Sequence, residues 1–222
     1  PVGGLDLSAR ILARNAPPKL GVGISVVCRT SGGHMRGNME GIAVQPDGYT
    51  LLAWGSGLYT DELLVRNAPY THNDVEPVCG YSNDPEVLVV SREFGRDAEL
   101  ENSDQLLDHV RANPGKVTIA MGGNWTAHDL FRLRIENQAG IKFNRMPFLG
   151  GRLALAAVAN GNSNVANCFA AAFFGLPKAM RDNILPLDVA ADMQLPLMQV
   201  IPSVAEPRPP ASVQALLALK TA

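Results

Sequence analysis

The chain has 222 residues, of which 46% are hydrophobic and 18% are charged, and its formal net charge at pH 7 is −2. This composition is typical of a globular protein with enough residues to bury one large core or two small ones. The 19 basic and 21 acidic residues are interspersed. They form no basic stripe of the kind that nucleic-acid binding requires, and the longest apolar runs are too short to span a bilayer.

The first half of the sequence predicts helices that alternate with short strands. Hydrophobic spacing and β-branched runs predict a helix over residues 7–20, a strand over 24–28, a helix over 38–44 and a strand over 50–54. Pro17 and Pro18 are expected to end the first helix, because proline cannot donate the next helical hydrogen bond. The segment from Pro46 to Tyr49 has the composition of a turn and leads into the second strand.

The second half continues this alternation. The predicted elements are a strand over residues 87–90, a helix over 103–110 with Ser103 as its N-cap, a strand over 116–121, a helix over 126–139 that Gly140 ends, a strand over 143–146 and a helix over 153–160. Strands alternating with helices of this length predict an α/β fold with a largely parallel sheet. Ligands of such sheets bind beyond the carboxyl ends of the strands.

Two glycine-rich loops precede predicted helices, about 120 residues apart. The first spans residues 1–6 and the second spans residues 121–126. The first turn of a helix leaves backbone N–H groups without partners and carries a partial positive charge, and glycine lets a ligand approach the backbone closely. The two loops together therefore predict a cleft that holds a small anion from both sides. Because a strand normally leads into such a loop, we also expect the natural protein to have a segment before Pro1.

Neither the cysteines nor the histidines form a catalytic or metal-binding motif. Cys28, Cys79 and Cys168 lack zinc-ligand spacing, and we expect all three to be buried without a disulfide. The four histidines lack metal-site spacing, and no nucleophile elbow or phosphate-loop motif is present. We therefore predict no enzyme, no catalytic residue, no metal site and no cofactor.

Several stretches, in a fixed order, resemble the extracytoplasmic solute-binding proteins of tripartite tricarboxylate transporters, the Bug family. These stretches are the opening Pro-x-Gly-Gly loop with Asp6, the turn and strand of residues 46–52, Pro69-Tyr70, residues 75–78 and 87–90, residues 112–117, the loop of residues 122–128, residues 147–151 and residues 202–206. Each stretch is only moderately specific. Their order along nearly the whole chain carries the resemblance.

The resemblance implies an α/β fold of two lobes, a type II-like periplasmic binding protein with mixed, mostly parallel sheets and a cleft between the lobes. Lobe 1 would comprise residues 1–88 and 188–222, and lobe 2 would comprise residues 89–187. The protein would be a periplasmic monomer without nucleic-acid partners. Hinge closure would capture a small carboxylate, and the closed form would deliver it to membrane transporter subunits.

The same resemblance, together with the chemistry of the loops, gives the candidate ligand-binding residues. They are Gly3, Gly4, Asp6, Arg36, Ser56, Gly122, Gly123, Asn124, Thr126 and His128. The glycines and Asn124 would present backbone N–H groups, while the side chains of Ser56, Asn124 and Thr126 would offer hydrogen bonds. Water bridges between these groups and the ligand would let one cradle accept several related acids.

Some of these assignments have structural alternatives. Asp6 could cap the first helix or orient ligand waters, and His128 could contact the ligand or pack within its helix. Arg36 and His34 could be solvated, or could bind the far end of a dicarboxylate. Arg145 and Arg152 are further candidates for that far end, whereas Trp125 is expected to pack.

The sequence also departs from the family pattern. Leu149 stands where the family has a lysine in Pro-Tyr-Lys-Gly-Gly, one residue rather than two separates Gly4 from Asp6, and a family segment is skipped after Glu206. Uncharged loops with few distal cations favour a C4-dicarboxylate. An aromatic carboxylate, a tricarboxylate, or a role as the partner of a signalling receptor remain alternatives.

Overall fold

The computed structural model of the chain describes residues 4–29, 34–55, 62–63 and 66–190. Two candidate ligand-binding residues, Gly3 and Ser56, lie outside these ranges, as does the segment around Glu206. The described part divides into two compact units. Unit 1 comprises Pro1–Asn83 with Asn124–Ala127, and unit 2 comprises Asp84–Gly123 with His128–Ala222. The lobe boundaries at residues 88 and 188 stay a prediction.

Unit 1 is helical over much of its described length. Its elements are α1 (Gly4–Asn15), α2 (Pro17–Leu20), α3 (Met35–Ile42) and a 3-10 turn (His72–Asp74). The helix predicted over residues 7–20 is therefore two helices. The first ends before Pro17, and Gly21 ends the second with a left-handed φ of 72°. Proline at the first position of α2 needs no N–H donor, so it starts a new helix more easily than it continues one.

The two strands predicted in unit 1 do not form, so that prediction was wrong. Residues 24–28 and 50–54 carry no ladder pairing among the described residues. Val27 and Leu51 are 66% and 69% exposed. A β-branched run favours extended backbone, but a strand also needs a hydrogen-bonded neighbour and a face to bury.

A buried polar group joins α3 to the later part of unit 1. Glu62 is fully buried, and its Oε2 accepts hydrogen bonds from Asn38 Nδ2, at 2.7 Å, and from the Tyr70 hydroxyl. The ring of Trp54 packs edge-on against Tyr70, with centroids 5.6 Å apart. Burial and this carboxylate raise the pKa of Tyr70 to about 12. These contacts link three separate parts of unit 1.

Unit 2 is built around a five-stranded sheet. Its strands are β1 (Glu86–Ser91), β2 (Thr118–Met121), β3 (Asn144–Pro147), β4 (Val165–Phe169) and β5 (Ile184–Ala190), and its helices are α4 (Arg92–Asp97), α5 (Ser103–Ala112), α6 (Ala127–Ala139), α7 (Gly151–Ala159), α8 (Ala170–Phe174) and α9 (Lys178–Arg181). The predicted strands over residues 87–90, 116–121 and 143–146 are confirmed, as are the helices over 103–110, 126–139 and 153–160, each with small shifts at the ends.

The sheet is mixed, with strand order β3-β2-β4-β1-β5. β2 pairs in parallel with β3 and β4, whereas β1 pairs antiparallel with β4 and β5. The α/β class and the mixed sheet agree with the prediction, and the described pairings divide evenly between parallel and antiparallel. The carboxyl ends of β2, β3 and β4 therefore lie at the same edge of the sheet as the first residue of β1.

Hydrophobic clusters cover both faces of the sheet. One face carries Val87, Val89 and Ala166 packed under α7 and α8, with Leu155 fully buried. The other face carries residues such as Leu88, with α5 contributing Leu106. β1 has no exposed position, which is why its central residues 87–90 are a continuous apolar run.

Several local predictions are corrected. The N-cap of α5 is Asn102, whose side chain accepts from the Gln105 N–H at 3.0 Å, and not Ser103, whose hydroxyl donates to Asp188. Of the cysteines only Cys168 is buried, while Cys28 and Cys79 are exposed, and all three are free thiols.

The strands β4 and β5 were not predicted, because short buried strands cannot be told from helix segments by periodicity. No helix among the described residues is long and apolar enough to cross a membrane.

Candidate functional site

Two glycine-rich turns lie at the carboxyl edge of the parallel strands of unit 2. Gly122 and Gly123 follow β2, and Gly150 follows β3 and precedes α7. Gly123 has φ of 135° and Gly150 has φ of 108°, in the region that side-chain-bearing residues rarely adopt. The Phe148 N–H donates to the Met121 carbonyl at 2.8 Å, which holds the two turns side by side. The second predicted loop is thus adjacent to the Pro-Phe-Leu-Gly-Gly segment.

The imidazole of His128 lies where these two turns meet. A Cβ atom built at Gly122 would lie 2.9 Å from His128 Cδ2 and 3.0 Å from the Gly151 backbone nitrogen. A Cβ atom at Gly151 would lie 3.6 Å from His128 Nε2. The Cδ2–Nε2 edge of the ring therefore faces both glycines. Glycine is required at position 122 because any side chain would displace the ring or the backbone of the neighbouring turn.

The other edge of the His128 ring contacts a buried carboxylate. His128 Nδ1 is 2.9 and 3.1 Å from the two carboxylate oxygens of Glu86, the first residue of β1. Asn167 in β4 donates from Nδ2 to the His128 carbonyl at 2.9 Å and to Glu86 Oε2 at 3.4 Å. The Phe169 ring lies 4.7 Å from the imidazole, centroid to centroid. All three polar side chains are buried.

Sequence reasoning identified His128 but missed Glu86 and Asn167. The available signal was modest: each is a polar residue in or beside a short apolar run, and both runs form buried strands in the structure. A buried charged residue is rarely found without a partner, so Glu86 at the start of such a run indicates that a partner lies near it. Which residue that partner is depends on strand order, which the sequence pattern does not show.

A second carboxylate lies two residues before Glu86. Asp84 Oδ1 accepts from the Ala171 N–H at 2.9 Å, in the first turn of α8. Burial raises the pKa of Asp84, and the nearby Glu86 charge adds to that rise, while the Ala171 hydrogen bond opposes it. The first turn of α8 is thus already occupied by the carboxylate of Asp84.

The N-cap residue of α7 is a glycine, which has no side chain to offer to the first N–H groups of the helix. Its N-cap, Gly150, makes no side-chain hydrogen bond, and its carbonyl accepts from the N–H groups of Leu153 and Ala154. Of the residues beside this helix end, Leu149 is 90% exposed. The first N–H groups of a helix of this length favour an anion.

In unit 1, α1 supplies the first set of candidates. Gly4 is buried at the first position of the helix. Asp6 lies in its first turn, and its carboxylate accepts from Arg10 Nε at 3.0 and 3.1 Å. Neither helix capping nor a role in orienting water is shown for Asp6; its described partner is this arginine.

Arg36, in α3, lies on the surface of unit 1. Its Nε donates to Glu40 Oε1 at 2.7 Å, and Arg29 Nε donates to the other oxygen at 2.8 Å. The hydrogen bond from Arg36, followed by that from Arg29, lowers the pKa of Glu40. Arg36 therefore already has an acidic partner.

The remaining candidates are placed as follows. Asn124 and Thr126 group with unit 1, where Thr126 is buried and Asn124 is exposed. Trp125 was expected to pack, but its side chain is 48% exposed, and its backbone has a left-handed φ of 55°. Arg145 lies 3.9 Å from Asp129, and Arg152 is exposed. Unit 2 thus brings together Gly122, Gly151 and His128. Among the described residues, no group of three metal-ligating side chains is close enough to hold a metal ion.

The fold is that of periplasmic binding proteins. MatC of Rhodopseudomonas palustris, solved with bound malate, superposes with a TM-score of 0.76 at 19% identity, over 92% of this chain and 68% of that one. Rpa4515 of R. palustris, with adipate, gives a TM-score of 0.79 at 19% identity, over 97% of this chain and 78% of that one.

Residues 8–214 match the family model described as the tripartite tricarboxylate transporter family receptor, and the chain belongs to that family. Among its curated relatives are the protein BugT of Bordetella pertussis, 29% identical over 72% of this chain and 49% of BugT, and a UPF0065 protein from the tcbD-tcbE intergenic region of Pseudomonas sp. strain P51, 27% identical over 93% of this chain and 60% of that protein. The chain thus spans about half to three-fifths of the length of these relatives.

Proposed function

We propose that this chain is the ligand-capturing part of a periplasmic solute-binding protein that takes up a small organic acid and delivers it to membrane transporter subunits. One observation carries the proposal: the two glycine turns of unit 2 meet at the start of α7, where backbone N–H groups and the His128 ring share one small region. A carboxylate suits such a region because it accepts several hydrogen bonds and is attracted by the positive end of the helix dipole.

The receptor family and the ligands of two solved neighbours support a carboxylate. Malate and adipate are both dicarboxylates. We propose a dicarboxylate, with four carbons as the first choice, held by one carboxylate at Gly122, Gly123 and the start of α7. In the complete cradle, Gly3, Gly4, Asp6, Ser56, Asn124 and Thr126 would contribute the remaining contacts, and hinge closure would bring the two sets of loops together.

A thermal-shift screen tests this proposal. Monocarboxylates, dicarboxylates, tricarboxylates and aromatic carboxylates would be added to the purified chain, and calorimetry would follow on each hit. A ligand at 100 times its Kd adds about 2.7 kcal/mol to the free energy of unfolding, which shifts the melting temperature by several degrees. Succinamide serves as the matched control for succinate, since it has the same shape without the charges.

We expect succinate or malate to raise the melting temperature and succinamide to leave it unchanged. A shift with aromatic acids or tricarboxylates alone would replace the dicarboxylate with that class. The absence of a shift with every acid would contradict carboxylate capture by this chain.

A further inference from the structure

Glu86 and Asn167 contact His128 at two different points. Glu86 contacts the imidazole through Nδ1, while Asn167 donates to the backbone carbonyl of the same residue. These contacts come from β1 and β4, adjacent antiparallel strands in which Glu86 pairs with Phe169 and Leu88 pairs with Asn167. The start of α6 is thereby attached to the centre of the sheet.

The Glu86 contact determines which ring nitrogen of His128 carries the proton. A carboxylate can only accept a hydrogen bond, so the Nδ1 atom beside it must be the donor. In the neutral ring the proton then resides on Nδ1, and Nε2 is an acceptor. In the protonated ring both nitrogens donate. In both states the Nε2 edge faces Gly122 and Gly151, because the hydrogen bond fixes the orientation of the ring.

The orientation of the Asn167 amide is fixed by the same neighbours. Its Nδ2 donates to an anionic oxygen and to a carbonyl, so a flipped amide would place oxygen against oxygen at both contacts. Its Oδ1 is buried and makes no hydrogen bond to any described residue. Asn167 is therefore held by its donor side alone, and replacing Nδ2 would lose both contacts.

We propose that Glu86 and Asn167 are positioning residues for ligand capture: they hold the His128 ring as the Nδ1–H form, with Cδ2 beside Gly122 and Nε2 turned toward Gly151 at the start of α7. The expected effect on ligand binding rests on the proposed function, because a rotated ring would occupy the space of the ligand or of its bridging water. The geometry of the ring itself is independent of any ligand. Neither residue is among the candidates that the sequence analysis identified.

Two substitutions at Glu86 separate geometry from charge. Glu86→Gln keeps an oxygen that can accept from Nδ1 and removes a negative charge, whereas Glu86→Leu removes both. If the hydrogen bond orients the ring for binding, the Glu86→Gln variant should bind the acid within about threefold of the wild-type affinity. The Glu86→Leu variant should bind it at least tenfold more weakly. If Glu86 acted only as a charge that repels anions, both variants would bind the acid more tightly.

Asp188→Asn is the matched control. Asp188 lies in β5 of the same sheet, opposite Leu88, and accepts from Ser103 rather than from His128. We expect the Asn variant to bind the acid like the wild type. Melting temperatures of all three variants show whether each one is folded, so that a loss of binding is not confused with a loss of structure.

Nitrogen-15 NMR of the imidazole rings shows directly which ring nitrogen carries the proton. The His128 signals are assigned as those absent from a His128→Gln variant. We expect a protonated Nδ1 in the wild type and in Glu86→Gln, and a shift of the proton toward Nε2 in Glu86→Leu. A wild-type ring protonated at Nε2 alone would overturn the inference, as would unchanged affinity in Glu86→Leu.

The two proposals fail in different ways. If the wild type binds no acid, the proposed function fails while the NMR result still decides how the ring is held. If the wild type binds an acid and Glu86→Leu binds it equally well, the proposed function stands and the positioning role is wrong.

Discussion

Arg132 and Asp129 lie one turn apart on the buried side of α6, and Arg132 donates from Nε and Nη2 to a single oxygen of Asp129 at 2.9 and 2.7 Å. Arg132 also pairs with Glu136 at 2.6 Å, and Glu136 accepts from the backbone N–H of Phe143. This network attaches α6 to the chain segment that enters β3. Since His128 precedes Asp129 directly, the same helix carries both the network and the candidate ligand contact.

Replacing Arg132 with alanine should strongly destabilise unit 2. The change leaves two buried carboxylates with only the exposed cations Arg145, 3.9 Å from Asp129, and Lys142, 3.4 Å from Glu136. Removing the buried partner of such a pair costs about 3–5 kcal/mol. Chemical denaturation would measure the loss. Arg96→Ala is the control, because that side chain is 75% exposed and pairs with an exposed aspartate, so its loss should cost less than about 1 kcal/mol. Equal losses in the two variants would show that the α6 network is unimportant for stability.

Gly122→Ala should weaken acid binding by about tenfold or more. The added methyl group would lie within 3.0 Å of the His128 ring and of the Gly151 backbone, so the ring or the turn must move. Gly80→Ala is the matched control, since nothing lies within 4 Å of its Cβ position. Calorimetric titration with the acid found in the screen would compare the two. If Gly122→Ala bound the acid as Gly80→Ala does, this turn would not belong to the binding site.

Arg36→Ala tests the far end of a dicarboxylate. If Arg36 binds the second carboxylate, its loss should weaken a dicarboxylate by about tenfold, the effect of one charged hydrogen bond, and leave a monocarboxylate unchanged. Because Arg36 is paired with Glu40, Glu40→Gln should have the opposite effect and strengthen dicarboxylate binding. Equal losses for both acid classes in Arg36→Ala would remove Arg36 from the site.

The Tyr70 hydroxyl should lose its proton at a higher pH than an ordinary tyrosine does. Its pKa is raised to about 12 by burial and by the hydrogen bond to Glu62, whereas an unfolded tyrosine titrates near 10. The unfolded chain therefore loses this proton first. The stability that Tyr70 contributes is fully present below pH 10 and is lost as the pH rises toward 12. Ultraviolet titration should show one late phenol that is absent from Tyr70→Phe, and an unchanged curve in that variant would contradict the assignment.

Tyr70→Phe should also reduce stability at neutral pH. It removes one of the two donors to Glu62 Oε2 and leaves a buried carboxylate with fewer partners, at a cost of about 1–3 kcal/mol. Tyr49→Phe is the control, because Tyr49 is 86% exposed. Thermal unfolding at pH 7 would compare the two variants. A loss in Tyr49→Phe as large as that in Tyr70→Phe would contradict the role of the buried hydrogen bond.

Asp84→Asn should raise stability at neutral pH but not in acid. Burial raises the folded-state pKa of Asp84 above its ordinary value of 3.8, so its favourable contribution is present below that value and is lost as the pH rises through the folded-state pKa. Asparagine can still accept from the Ala171 N–H and does not ionise. The melting temperature of the variant relative to wild type should therefore increase between pH 3.5 and pH 7. A difference that stays constant over this range would contradict the raised pKa.

Much of unit 2 could be predicted from the sequence. Residues 87–90 of β1 are an uninterrupted apolar run and α5 has helical spacing with a stop at Asn113, so local patterns were sufficient. The glycine turns were predicted too, since Gly122 directly follows one strand-like run and Gly150 lies three residues after the end of another. Unit 1 was predicted less well, because residues 24–28 and 50–54 have the composition of strands but no partners in the described structure. Pattern alone does not supply a neighbouring strand.

By itself the sequence determined the α/β class, the family and the position of His128 next to a glycine turn, because these depend on residues that are close together along the chain. Only the tertiary structure decided what surrounds that histidine. Glu86 and Asn167 are 42 and 39 residues away from it in sequence, and they reach it because β1 and β4 are antiparallel neighbours in the centre of the sheet. Strand order depends on how the whole chain buries its apolar faces, and no local pattern contains that information.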